Sequence, residues 1–268
     1  MDKYDGLREG IRPYLTEKRY QHTLRCCEMA LRLADRWGCS RDDAARAALL
    51  HDITKKLSDQ EQLKLCDKYG IINKYSEQEF GTLIHADTAA ALAGDVFGMP
   101  GHICRAIALH TLGAADMTLL DKIIYLADAC EEGRDYPGVG AIRQTAFEDI
   151  DRAMLMSLES TIQNVRDRGG VPNDQSRQAA DAIRAAIEER EKTMEPKNLE
   201  PRELLDEIVR IADSRKARDL VAMEVADQTT LADYFVIMTG TSTTHIRALC
   251  DEIEYKLKES FGIYPHHT

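Results

Sequence analysis

The stretch TEKRYQHTLRCCEMALRLADRWG, residues 16–38, decides the fold class. Tyr20, Leu24, Cys27, Leu31 and Ala34 recur at the three-to-four spacing of an amphipathic helix, and Thr16 and Gly38 are placed to start and stop it. Ser40 then opens a second helix, with Asp42 and Asp43 in the first turn where carboxylates suit the positive helix end. That helix carries His51 and Asp52 within ALLHDITKKLSD, residues 48–59. Ser58 and Glu61 form a capping box for a third helix ending at Gly70. Helical periodicity continues over about 81–97, 101–111, 116–131, 139–168 and 174–192, with no apolar-polar alternation. The first domain, residues 1–192, is therefore expected to be an all-α helical bundle.

EKTMEPKNLEPRE breaks this pattern with two prolines and almost nothing apolar, and reads as a linker over 193–202. Residues 203–268 form a second, smaller α/β domain. Residues 203–215 look helical, DLVAMEV (219–225) and DYFVIMTG (233–240) are short β-rich runs, and STTHIRALCDEIEYKLKESFG returns to helical periodicity.

Composition narrows the functional classes. The chain of 268 residues is 44% hydrophobic and 30% charged, an ordinary globular mixture. Neither a signal-peptide run nor about 18 consecutive apolar residues occurs, so the expected location is the cytoplasm, with no membrane partner. Seven cysteines contain no CxxC pair, which argues against a zinc ribbon or a disulfide framework. A net charge of −11 argues against direct DNA binding through phosphate contacts. An anionic substrate would need its own local cations.

Four histidines sit in apolar helical contexts: His22 in RYQHTL, His51 in LLHDIT, His85 in TLIHADTA and His110 in AIALHTLG. Asp52 and Asp128, the latter in IIYLADAC, add carboxylates whose burial is costly unless they are paired or ligated. Six such groups converging in a bundle core make a candidate binuclear metal site. Asp52 has two oxygens with which to bridge two cations, and a metal pair can generate hydroxide at neutral pH and neutralise charge on a phosphoryl group. Lys55 follows three residues later and is a candidate phosphate ligand. The imidazole and carboxylate set suits iron, manganese, cobalt, nickel or zinc. His102 lies off the His110 face and is left out.

The ordered series His22, His51-Asp52, Asp128 resembles the H…HD…D pattern of HD-domain phosphohydrolases, and His85 and His110 match its binuclear members. More narrowly, RYQHTLRC, LLHDITKKL, LIHADTAA, AIALHTLG and DKIIYLADACEEGRDYPGV resemble the bacterial HD-type symmetrical diadenosine tetraphosphate hydrolases, the YqeK family, over about residues 1–190. The resemblance implies cleavage of diadenosine tetraphosphate at its centre to two ADP, with two metal ions, preferentially iron. It implies His22, His51, Asp52 and Asp128 on one metal, and Asp52, His85 and His110 on the other. Asp52 and Lys55 would be catalytic, Lys55 would contact phosphate, and Arg134 would lie near the nucleotide or the phosphates. Thr111 is a further candidate substrate contact, and Asp121 and Lys122 are candidate supporting residues. The alternative within this class is an HD hydrolase of another nucleotide. Apolar helix faces left over from the bundle would suit a homodimer.

The tail, above all ADYFVIMTGTSTTHIRA, is similar to the first part of the ribosomal silencing factor (Iojap-like) family. That resemblance implies a large-subunit ribosomal protein as partner and, as an alternative function, a ribosome-associated binding protein. Residues 201–268 hold 8 Lys and Arg against 12 Asp and Glu, which favours a protein partner over rRNA. The family's domain has further strands, so the α/β unit is expected to be incomplete and to show an unpaired sheet edge. His266 and His267 read as a frayed end.

Overall fold

A computed structural model of the chain describes residues 3–72, 75–194, 199–229 and 232–264. It divides into two compact units, Met1–Ile187 and Glu188–Thr268. The first is helical throughout its described residues: α1 (Asp5–Ile11), a 3-10 turn (Arg12–Tyr14), α2 (Glu17–Trp37), α3 (Arg41–Leu50), α4 (Asp59–Tyr69), α5 (Glu77–Phe97), α6 (Gly101–Leu109), α7 (Leu119–Cys130), α8 (Val139–Glu148), α9 (Ile150–Asp167) and α10 (Asp174–Met194). The residues 195–198 of the expected linker, together with His266 and His267, lie outside the described residues.

The caps act as the sequence suggests. Thr16 Oγ1 accepts from Arg19 N at 3.3 Å, Ser40 Oγ accepts from Asp43 N at 3.2 Å, and Ser58 with Glu61 closes a reciprocal box. Gly38 ends α2 at φ +72°, a backbone state that glycine adopts without steric cost. The buried stripe of α2 runs through Thr23, Cys26, Cys27, Ala30, Leu33 and Ala34, so the core face is turned slightly from the expected ladder and Leu24 and Leu31 are half-buried.

Two expectations are corrected. The helix drawn over 139–168 is two helices, divided at Asp149, whose extended backbone lets its Oδ1 accept from Asp151 N and Arg152 N at 3.1 Å each. An aspartate cap ends α8 there without the glycine or proline that pattern reading depends on. Further upstream, α3 stops at Leu50, and His51 and Asp52 lie in the tight turns that follow. Lys55 N bonds Asp52 O at 2.9 Å and Leu57 N bonds Thr54 O at 3.0 Å.

The core lies around α7, which packs on α2, α3, α6, α8 and α9. Ile123, Ile124, Leu126 and Ala127 of α7 are fully buried with Leu33, Leu49, Ile107 and Met154. Ala44, Ala45, Ala47 and Ala48 line α3 at no more than 2% exposure, and such small side chains let α3 approach α2 closely. That approach brings the turn carrying His51 up to His22.

A buried polar knot fixes the same turn from its other side. Thr54 Oγ1 lies 2.9 Å from both His85 O and Thr88 Oγ1, while Gln62 Nε2 donates to Thr54 O at 2.8 Å. Thr88 Oγ1 in turn donates to Gln62 Oε1 at 2.7 Å. Apolar packing alone would let the turn slide along α5; directional bonds do not.

The second unit comprises α11 (Pro201–Ser214), β1 (Arg218–Glu224), β2 (Tyr234–Thr239) and α12 (Thr243–Phe261). The strands pair antiparallel, with Val221 opposite Ile237 and Met223 opposite Phe235. Those four side chains form an exposed apolar face, whereas Leu205, Ile211, Leu249 and Leu257 of the helices are buried.

Thr54→Val keeps the shape of residue 54 but takes the hydroxyl partner away from His85 O and Thr88 Oγ1. It should destabilise the first unit by about 1–3 kcal/mol. A lowered urea midpoint at unchanged slope is the expected result.

Candidate metal centre

α2 contributes His22, the turn after α3 contributes His51, Asp52 and Lys55, α5 contributes His85, His110 caps α6, and α7 contributes Asp128. The structure brings all six candidate ligands together. Asp52 is at their centre, only 3% exposed. Its Oδ2 lies 3.3 Å from His51 Nε2 and 3.7 Å from His22 Nε2, and its Oδ1 lies 3.3 Å from His85 Nε2 and 3.9 Å from His110 Nε2. Each carboxylate oxygen thus faces a different pair of imidazoles. His22 Nε2 also lies 2.9 Å from Asp128 Oδ1, whose side chain is 22% exposed and marks the open side of the cluster.

Tautomers follow from the outer partners. His51 Nδ1 meets Ala48 O at 2.7 Å and His110 Nδ1 meets Ile107 O at 2.6 Å. A carbonyl only accepts, so each Nδ1 carries the proton and each Nε2 presents a lone pair to the cluster. His51 Nε2 is buried with no hydrogen-bond partner. Bare imidazole nitrogens aimed at carboxylate oxygens repel one another unless a cation lies between them, so the residues present fit metal ions.

Glu131, which sequence reasoning missed, orients His22: its Oε1 is 3.0 Å from His22 Nδ1. Arg25 Nε donates to Glu131 Oε2 at 2.6 Å, and Gly133 N donates to the same oxygen. A Cβ at Gly133 would come within 2.6 Å of the Arg25 side chain, so the glycine makes room for this clamp. The position of Glu131 three residues after Asp128, on the same helical side, is the signal that could have found it. Arg19 was also missed. Its Nη1 donates to Asp52 Oδ2 at 2.8 Å, from a place three residues before His22. Cys26, read only as a small hydrophobe, packs its Sγ 3.4 Å from His22 Nε2 and is kept a thiol by burial.

The remaining candidates are placed as follows. Lys55 Nζ donates to Thr82 O at 2.8 Å and lies 3.0 Å from His85 Nδ1, at the edge of the cluster. Arg134 bonds Asp128 through both the carbonyl, at 2.8 Å, and the carboxylate. Thr111 Oγ1 is buried without a hydrogen-bond partner beside His110. Asp121 is the capping-box residue of α7 and accepts from Arg105 Nε at 3.0 Å, and Lys122 pairs with Asp151 at 2.6 Å, so both serve the scaffold. His102 is exposed and 3.3 Å from Asp43, away from the cluster.

The electrostatics are those of a buried anion waiting for positive charge. Burial opposes ionisation of Asp52, yet His51, His85 and His110 hold its carboxyl well below the usual range. Burial opposes Asp128 in the same way, and His22 and Arg134 outweigh it. Burial pushes the His110 imidazole down to about 3 and lowers His85. His51 differs: burial disfavours its charge, but Asp52 and Asp128 raise it overall. Burial also lowers the Lys55 ammonium.

A helical bundle that focuses four imidazoles and two carboxylates on one point defines the class of metal-dependent HD-type hydrolases. Residues 19–133 match the HD domain family, and residues 197–268 match ribosomal silencing factor during starvation. The chain is 37% identical over 157 residues to a symmetrical bis(5'-nucleosyl)-tetraphosphatase of Halalkalibacterium halodurans, covering 57% of this chain and 81% of that one. A protein of the same name from Bacillus subtilis is 34% identical, covering 57% and 82%. Among solved structures, an HD superfamily hydrolase from Clostridium acetobutylicum, described as involved in NAD metabolism, aligns with a TM-score of 0.64 at 34% identity, over 69% of this chain and 99% of that one. The chain belongs to the HD-domain family of symmetrical bis(5'-nucleosyl)-tetraphosphatases. No helix among the described residues is long and apolar enough to cross a membrane.

Removing a partner that orients a ligand typically costs 10–100-fold in metal affinity. Glu131→Gln should therefore weaken metal binding by about that factor while the far-ultraviolet circular dichroism stays unchanged. Metal titration followed by elemental analysis of the equilibrated protein measures it.

Proposed function

We propose that this protein cleaves diadenosine tetraphosphate symmetrically into two ADP, with residues 1–192 as the hydrolase domain, 193–202 as linker and 203–268 as an accessory domain. The observation that carries the reading is Asp52, whose two oxygens face separate imidazole groups. His22, His51, Asp52 and Asp128 would hold one metal ion, and Asp52, His85 and His110 the other, iron being the metal favoured by the family resemblance. Such a pair supplies hydroxide at neutral pH and neutralises charge developing on the attacked phosphoryl group.

The chain's own residues do the rest. Asp52 and Asp128 hold the site's negative charge in place, while Glu131 and the carbonyls of Ala48 and Ile107 keep His22, His51 and His110 turned inward. Arg19, Lys55 and Arg134 rim the cluster and supply the local cations that an acidic protein must provide to a polyphosphate. Water adds to one of the two central phosphorus atoms, and the bond from that phosphorus to the central bridging oxygen breaks. The departing ADP is a good leaving group, so charge neutralisation counts for more than a strong general acid.

Incubation with diadenosine tetraphosphate, followed by anion-exchange separation, should give ADP alone. AMP with ATP would place attack off centre and reject the reading. Asp52→Ala should remove both metal and turnover, and Arg19→Ala should lower kcat/KM by about 10²-fold with metal retained.

The match of residues 197–268 to a ribosomal silencing factor carries a second role for the accessory domain. Its acidic balance points to a large-subunit ribosomal protein rather than rRNA as the contact. The full chain should cosediment with large ribosomal subunits, and a chain ending at residue 192 should not.

A further inference from the structure

Beside the candidate metal centre a cleft of about 290 Å³ opens between α7, the loop after it and α9. Its inner end is formed by His110, Thr111, Asp128 and Arg134, the groups of the centre and its rim. Its outer wall is different. Ser157, Ser160, Thr161 and Asn164 line it from α9 at spacings of three and four, which is one helical face. This face carries hydroxyls and an amide but no charge, and the Tyr136 ring also borders the cleft.

The division of chemistry is informative. A polyphosphate needs cations, and those lie at the inner end. A neutral wall of donors and acceptors next to an aromatic ring suits a ribose and a base. The volume, at the lower end of the roughly 300–1,000 Å³ usual for ligand pockets, accommodates one nucleoside and not two. Two of the wall groups are committed inward: Thr161 Oγ1 donates to Ser157 O at 3.0 Å, and Ser157 and Thr161 interact with the Tyr125 hydroxyl. The side chains of Ser160 and Asn164 make no hydrogen bond to another side chain among the described residues. Thr111 Oγ1 at the inner end is buried and also unpartnered.

We propose that this cleft is the nucleoside subsite for one half of the dinucleotide, with Ser160 and Asn164 as its specificity-determining residues. The inference rests on the phosphohydrolase reading above. Asn164 offers a donor and an acceptor together, the pairing by which an asparagine amide recognises adenine. Ser160 is placed for the ribose or the base edge. Half of a symmetrical dinucleotide then lies along α9 with its phosphates toward Arg134 and the centre.

The test is calorimetric binding of ADP, GDP and inorganic pyrophosphate to the metal-loaded full chain and to two variants. Ser160→Leu, which fills the cleft, should weaken ADP by about tenfold or more. Asn164→Asp replaces the donor with a second acceptor, matching guanine better than adenine, and should move the ADP to GDP affinity ratio about tenfold toward GDP. Pyrophosphate, which has no nucleoside, should bind both variants as it binds the parent. The proposal is overturned if ADP affinity and the ADP to GDP ratio stay unchanged in Asn164→Asp, or if pyrophosphate weakens in parallel. Asn164 is exposed, so that variant carries the decision even where Ser160→Leu fails to fold. Kinetics separates this inference from the one beneath it. Cleavage of diadenosine tetraphosphate with an unaltered KM in Asn164→Asp removes the subsite and leaves the reaction, whereas a shifted nucleotide preference without cleavage removes the reaction and leaves the subsite.

Discussion

A single buried carboxylate, Asp52, constrains the rest of the first unit. Taking an ionised carboxylate out of water costs several kcal/mol unless opposite charge and hydrogen bonds replace the lost hydration. Around Asp52 the Arg19 guanidinium at 2.8 Å supplies part of the replacement, and the imidazoles facing both oxygens would supply the rest through the cations they are placed to hold. For those groups to arrive together, α2, α5, α6 and the turn after α3 must meet at one point. The alanines of α3 bring it against α2, and the Thr54–Thr88–Gln62 knot ties the turn to α5. The scaffold around the centre can be read as the set of contacts that keep this carboxylate compensated.

The tautomers extend the same constraint outward. Backbone carbonyls at the ends of α3 and α6 take the Nδ1 protons of His51 and His110 because these residues sit where helices terminate and nearby carbonyls are left without helical partners. The helix ends therefore do two things at once: they satisfy their own backbone and they turn a lone pair inward. Glu131 does the same for His22 with a carboxylate. Three candidate ligands are oriented by three neighbours that belong to the fold and not to the centre.

Much of this was legible in the letters. Periodicity and caps located α2, α4, α7 and the two strands to within a few residues, because Thr16, Gly38, Ser58 and Gly70 are strong local signals. The six candidate ligands were legible because buried histidines and aspartates are costly and conspicuous in apolar helices. What escaped were features that exist only through tertiary contact. Asp149 divides α8 from α9 with a side-chain cap that resembles any surface aspartate in sequence. His51 and Asp52 leave the helix because their bonds are redirected to the cluster and the turn. Arg19, Glu131 and the Thr54 knot look like ordinary helix residues until the chain closes. The polar row of α9 was equally invisible, since hydroxyls at helical spacing mean nothing without a cleft in front of them.

The position of Arg19 and Arg134 explains how an acidic chain handles anionic ligands. Each guanidinium pairs with a carboxylate of the cluster while keeping about a third of its side chain exposed, at 33% and 36%. Paired cations of this kind do not create a basic surface, and the net charge of −11 is undisturbed. They do keep positive charge next to the carboxylates on the solvent side, where an incoming phosphate meets it before it meets Asp52 or Asp128. Repulsion from the protein's overall charge is long-range and screened over about 8 Å at physiological salt, whereas these contacts act within hydrogen-bond distance. Local pairing therefore outweighs net charge at the mouth of the centre, and the acidity of the remaining surface is free to serve other contacts.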